Sequence, residues 1–440
     1  MFPWINPLFR ISFVTLPYLF YGSFVGLFVV MMALRAKFRA TALDPLTRNG
    51  LVVISVLLLL SCGFARDRTE SLLQLSNFLP FFMFFSVLPY VMRSVDRLHQ
   101  LATDMVIAAI PINLIALGEY LLKSPWMPRV VRRFPPVRAL RSAPHKGRAM
   151  VMFTHPNSLA NYLVLILGLG LGLILYENWR TPGEGEGKWR SLRTKLLYLG
   201  TALTLVGIFC SGSRNGLMIA AIQILIFCCC IKTNRRIRVA ALLTLIGMGI
   251  SVMSLGAGRR AIALWDWAND PRPRVWGIAW DMIQERPCLG WGLGHYKFEY
   301  LPRLLQQYPT CLLERTLTVI PSNCADVTHP HNVWLLLAVE AGIPVMVLFT
   351  VFIGYLCFRC TRPLFVAHSP GFPWSLERSP AAAVRLAYLL ALCGGFVFAC
   401  FDVTLYDVRL NATHWALLAG LYGITFCNPK TLQKEAKVLP

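Results

Sequence analysis

The sequence predicts an all-α, polytopic integral membrane protein of about 12 transmembrane helices. Three observations carry this. The chain is 56% hydrophobic and only 15% charged over 440 residues. Its mean hydropathy is +0.56. Its apolar residues come in long blocks, and a bilayer core about 30 Å thick needs about 20 such residues as helix. The first block, Ile11–Leu34, is longer than the apolar region of a cleaved signal peptide and reads as a retained span.

In chain order the apolar blocks predict spans near 8–34, 50–64, 71–91, 101–122, 153–176, 195–210, 215–231, 238–257, 331–358, 386–404 and 413–427. The first carries Pro17 and Gly22 and reads as one tilted helix or two short ones, so the count is 11 or 12. Four units follow from this. Residues 1–257 form a helical block with a basic loop at 123–150, residues 258–330 form one large loop, residues 331–427 form the last spans, and 428–440 are a tail.

Lys and Arg in short loops set the orientation. Lys188, Arg193, Lys232, Arg235, Arg236, Arg359, Arg362, Arg378 and the tail lysines fall on one side, which is assigned to the cytoplasm. The loop 258–330 and the short turn 211–214 then face outward. One segment runs against the rule. Residues 123–150 hold Lys123, Arg129, Arg132, Arg133, Arg138, Arg141, Lys146 and Arg148 with no acid, yet the count puts them outside. Such an excess, within a net charge of +22, suggests an anionic partner such as lipid phosphate. A miscounted span upstream is the alternative.

Most of the 13 cysteines lie inside spans, where they behave as small hydrophobes. Cys357 and Cys360 are a single C-x2-C at a membrane edge, which is not a zinc site. Cys288, Cys311 and Cys324 share the outer loop, and Cys311–Cys324 could close a short disulfide if that compartment is oxidising. Within the same loop, Arg274-Val-Trp-Gly-Ile-Ala-Trp280 has helical spacing, predicting an amphipathic helix from about 273 to 286 that Pro287 ends. Pro302–Tyr308 suggests another short helix.

Nucleotide chemistry finds no support. Gly183-Glu-Gly-Glu-Gly187-Lys188 has Pro182 and Trp189 where a phosphate loop needs Gly and Ser or Thr. Gly290-Trp-Gly292-Leu-Gly294 lacks a strand-turn-helix setting. The expectation is no cofactor, no metal and no nucleic acid.

The titratable residues worth explaining cluster at the outer side. His331 stands at the mouth of the run Asn332–Gly342, in the expected first turn of a span, where the helix dipole favours the neutral imidazole. Arg214 lies in the turn Ser211-Gly-Ser-Arg-Asn-Gly216, read either as a snorkelling charge or as a ligand contact. Arg274 opens the loop helix, and Arg148 precedes His155-Pro156-Asn157. Arginines bind phosphate oxygens, and a neutral histidine can deprotonate a hydroxyl. Together they suit group transfer away from a phosphate leaving group. Asp402 is an acid in an apolar run with no evident partner.

The His331-Asn332-x9-Gly342 block, Arg214-x3-Met218, and Arg274…Trp280…Pro287-Cys-Leu-Gly290-Trp-Gly292-Leu-Gly294 together resemble the O-antigen ligase family, which shares its domain with O-antigen polymerases. The resemblance implies a GT-C-like membrane glycosyltransferase of the Gram-negative inner membrane, with its active site and the 258–330 loop facing the periplasm. It would move O-antigen glycan from undecaprenyl pyrophosphate to a sugar hydroxyl of lipid A–core, inverting and without metal. His331, Arg214 and Arg274 would be catalytic. Arg148, His155, Asn157, Asn332, Arg132, Arg133 and Arg138 would bind substrate. The alternatives are an O-antigen polymerase using the same donor and, in another class, a polyprenyl-lipid flippase.

Overall fold

The computed structural model describes residues 3–38, 41–122, 147–180, 188–229, 271–314, 326–366 and 375–426, with a few isolated positions between them, Cys324 included. The expected span at 238–257, the body of the basic loop with Arg132, Arg133 and Arg138, and the tail lie outside the described residues.

The described chain is helical apart from a two-residue antiparallel ladder, β1 (Phe365–Val366) with β2 (Ser375–Leu376). Eight stretches among the described residues are long and apolar enough to cross a bilayer. In chain order the first helices are α1 (Ile5–Thr15), α2 (Phe20–Lys37), α3 (Pro45–Gly63), α4 (Arg68–Gln74), α5 (Leu79–Val87), α6 (Val95–Leu122), α7 (Pro156–Trp179), α8 (Lys188–Cys210) and α9 (Arg214–Cys229). The loop contributes α10 (Arg272–Glu285), α11 (Tyr296–Gln307) and α12 (Thr310–Glu314). Then come α13 (Val333–Ala341), α14 (Ile343–Thr361), α15 (Pro380–Ala399) and α16 (Val408–Phe426).

At the centre stands α7, whose 18-residue apolar window is wholly buried. Its Leu-Gly alternation explains the position. A Cβ on Gly168 would fall 2.4 Å from the Ala391 nitrogen, and one on Gly172 would fall 2.3 Å from the Ala387 Cα. Two glycines four residues apart therefore let α7 and α15 meet backbone to backbone. In lipid, where apolar burial between helices drives little, such close packing supplies the association. On another side Gly170 faces Thr201 of α8.

One open choice is decided and two expectations are corrected. The block 8–34 takes the two-helix alternative, α1 and α2, because Pro17 interrupts it. The predicted short helix at 302–308 begins earlier, at Tyr296, and runs through Pro302. Most consequential, the span expected over 331–358 breaks at Gly342, which has φ 91°. Helix α13 ends there and α14 starts afresh with Pro344 in its first turn.

The broken ends are not left open. Trp291 and Gly292 donate their backbone N–H groups to the Val339 and Glu340 carbonyls, each at 2.9 Å. The Ile343 N–H at the head of α14 donates to the Pro287 carbonyl at 2.8 Å. Ser61 adds an O–H to the Glu340 carbonyl at 2.9 Å. Helix termini carry backbone groups that need such matches when buried. The Pro287–Gly294 segment is thus spliced into the joint. Its glycines are what allow the approach: a Cβ on Gly342 would lie 2.2 Å from the Cys288 carbonyl oxygen. Further along, the Asp67 N–H donates to His295 Nε2 at 2.9 Å and Lys297 pairs with Glu70 at 2.7 Å, pinning the loop to α4.

Candidate active site

His331 is not in a first helical turn. It precedes the N-cap of α13, in left-handed backbone with φ 52°. The cap is Asn332, whose side-chain oxygen accepts from the Trp334 and Leu335 N–H groups at 2.9 and 3.1 Å. That use of the carboxamide oxygen is the ordinary work of an N-cap. A short helix ahead of the break therefore presents the imidazole from its lip, not from within a span.

The Nδ1 of His331 lies 3.3 Å from Asp402 Oδ1. Asp402 belongs to the segment between α15 and α16, and its side chain is 6% exposed against 29% for His331. The carboxylate has other donors. The Val403 N–H reaches Oδ1 at 2.8 Å, and Asn157 Nδ2 reaches Oδ2 at 2.5 Å. Burial alone would raise the pKa of this carboxyl. The His331 hydrogen bond, with the charges of His331, His329 and His155, more than reverses that and holds it well below the usual range. A group so firmly ionised only accepts, so His331 Nδ1 carries the proton of that bond. In the neutral ring the lone pair then sits on Nε2.

Around this pair lies a cavity of about 260 Å³, lined by Thr154, His155, Ser158, Thr328 and His329 among others. His329 accepts the His331 N–H on Nδ1 at 3.3 Å, and the two rings meet edge to face at 4.6 Å. Burial, then the neighbouring His331, pushes the His329 imidazole down to about 4. His329, His331 and Asp402 each bring one ligand atom within 4.8 Å of the others, a spacing a metal ion could use. However, His329 Nδ1 is taken up by the His331 amide, and both Asp402 oxygens already accept hydrogen bonds. The set reads as a hydrogen-bonded dyad with a wall.

Hydrogen bonds lead from the dyad to the arginine turn. Asn157, at the head of α7, links Asp402 to Arg148, whose Nη2 donates to Asn157 Oδ1 at 2.8 Å. Arg148 Nε donates to the Ser211 carbonyl at 2.9 Å. Three residues on, Arg214 opens α9, with Ser213 Oγ accepting from the Gly216 N–H at 3.3 Å. His155 caps α7 through Nδ1, which accepts the Asn157 N–H at 3.1 Å, while its ring faces the cavity. The end of the basic loop therefore stands at the same end of the bundle as His331 and Arg214. Buried Glu119 fixes it there, accepting the Met150 and Val151 N–H groups at 2.8 and 2.9 Å.

Arg274 stands near the start of α10, where it meets other residues of the loop. Its guanidinium lies 4.4 Å over the Tyr308 ring, and Nη1 points at Cys311 Sγ and Cys324 Sγ at 3.5 and 3.7 Å. Those cysteines form a disulfide. Two residues along the same helix, Trp276 Nε1 donates to the Pro330 carbonyl at 2.8 Å, so α10 holds the residue just before His331.

Residues 199–350 match the family model described as O-antigen ligase. That stretch, about a third of the chain, is similar to the O-antigen ligase domain. The family groups O-antigen ligases with polymerases, enzymes of glycosyltransferase type that work with lipid-linked glycans in membranes. A comparison with curated proteins finds no match to the chain. The matched stretch of the ligase domain holds Arg214, Arg274 and His331. Arg148, Asn157 and Asp402 come from outside it. Sequence reasoning singled out Asp402 but found it no partner, and it passed over His329; an acid in an apolar run was the available signal, and its mate lies 71 residues away.

Proposed function

We propose that this protein is an O-antigen ligase, transferring O-antigen glycan from undecaprenyl pyrophosphate to a sugar hydroxyl of lipid A–core at the periplasmic face of a Gram-negative inner membrane. The His331–Asp402 dyad carries the reading. An acceptor hydroxyl delivers its proton to His331 Nε2, and its oxygen attacks the anomeric carbon. The bond from that carbon to the pyrophosphate oxygen breaks on the opposite face, inverting the centre. Asp402 stabilises the imidazolium that forms and keeps Nε2 aimed at the cavity. Arg214 and Arg274 take the leaving pyrophosphate, since a guanidinium fork matches phosphate oxygens. Activation is supplied by the pyrophosphate itself, consistent with the lack of a nucleotide motif.

Arg148, Asn157 and Asn332 have contacts inside the protein, and we assign the first two to holding Asp402 and the Arg214 turn in register. Arg132, Arg133 and Arg138 are assigned to the phosphates of the acceptor lipid, and His155 to the cavity wall. The polymerase reading uses the same donor and the same base, with a second lipid-linked glycan as acceptor. Purified protein offered both acceptors decides between them. Product on lipid A–core supports the ligase, whereas elongated glycan still on the polyprenyl lipid would assign the chain as a polymerase. His331→Ala should lower either transfer by about 10²–10⁴-fold; wild-type turnover in that variant would remove the histidine from the chemistry.

A further inference from the structure

An arginine is a long, mobile side chain, and a phosphate-holding guanidinium must be fixed before substrate arrives if it is to contribute fully. The contacts around Arg274 do this in an uncommon way. Its face rests on Tyr308, and its edge meets both sulfurs of the Cys311–Cys324 cystine. A ring and a disulfide are both neutral. They brace the fork from two directions.

The same cross-link has a second reach. Cys324 lies seven residues before His331, and the intervening Pro330 is bonded to Trp276, on the helix that carries Arg274. One covalent bond therefore ties the arginine's cradle to the strand of chain that delivers the base.

We propose that the Cys311–Cys324 disulfide and Tyr308 are positioning residues for Arg274, holding its guanidinium toward the pyrophosphate of the donor lipid. This rests on the reading of Arg274 as a phosphate contact. The plainer role for such a disulfide, stiffening the loop, predicts a different pattern of losses, and a double-mutant cycle separates the two.

The test uses the full chain in lipid nanodiscs, with a polyprenyl-pyrophosphate-linked glycan as donor and lipid A–core as acceptor. Arg274→Ala should lower kcat/KM by about 10²-fold. Replacing both cysteines by alanine should lower it by about tenfold or more, and the triple variant should fall no further than Arg274→Ala alone, because the cystine acts through the arginine. Tyr308→Phe should keep activity, and Tyr308→Leu should lose it. Wild-type turnover without the cystine overturns the proposal. So does a cystine loss that multiplies in full with that of Arg274→Ala, which is the mark of a general stabiliser. Should the cysteine variant fail to fold, the Phe and Leu pair at Tyr308 carries the decision. If wild-type protein transfers to neither acceptor, the proposed function fails, and the same cycle read as affinity for undecaprenyl pyrophosphate still decides the positioning claim.

Discussion

Asp402 is where a single atom exchange should be most revealing. Asp402→Asn keeps volume, but its NH2 at the Oδ1 position gives up the Val403 N–H bond and can donate to His331 Nδ1, which favours the tautomer with the proton on Nε2 and leaves no lone pair facing the cavity. A fall in kcat of roughly 10²–10⁴-fold is expected, with the protein still folded. Transfer assays beside a thermal unfolding curve check this, and unchanged kcat would reduce the dyad to a structural contact. His329 gives a pH signature. Its folded value is held near 4 by burial, below the ordinary value of about 6.5. The unfolded chain thus takes up this proton first, so the stabilising term is full above pH 6.5 and is drawn down as pH falls toward 4. The unfolding midpoint should drop across that window in wild type and drop less in His329→Gln.

At the scale of elements, the joint between α13 and α14 is the feature with most consequence. Gly342→Ala would place a methyl 2.2 Å from the Cys288 oxygen in a backbone with φ 91°. A destabilisation on the order of 2 kcal/mol or more is expected, from strain and clash together. Scanning calorimetry would measure it, and a Gly342→Ala protein as stable as wild type would mean the joint yields easily. Much of this level was readable beforehand. Helical spacing found α10 with its end at Pro287, and the two nearest of three cysteines in one loop pointed at a disulfide that the structure contains. The break at Gly342 was missed because a continuous apolar run looks like one span. Gly342 and Pro344 were the punctuation, but apolar periodicity carries no record of a loop inserted from 50 residues upstream. His331 was found as a titratable residue at the rim, while its bond to Asp402 depends on how α13 meets the segment between α15 and α16, which no local pattern encodes.

For the whole molecule, the assembly turns on the α7–α15 seam. Gly168→Leu should force these helices apart, since its Cβ alone would reach 2.4 Å from the Ala391 nitrogen. Because Asn157 begins α7 and Asp402 follows α15, such a wedge should also weaken the bond between them and cut transfer, even in protein that still inserts. Parallel measurement of membrane insertion and turnover checks this, and full turnover would show that seam and site are independent. The basic loop acts at the same scale. Neutralising Arg132, Arg133 and Arg138 together should weaken use of the acceptor with little effect on the donor, and unchanged acceptor KM would dismiss the assignment.

The two halves of the dyad ride on different bodies. His331 is fastened through Trp276 and the spliced joint, whereas Asp402 is held by Asn157 of the central helix. Neither element holds both groups, so the pair exists only where these two parts of the fold have packed together.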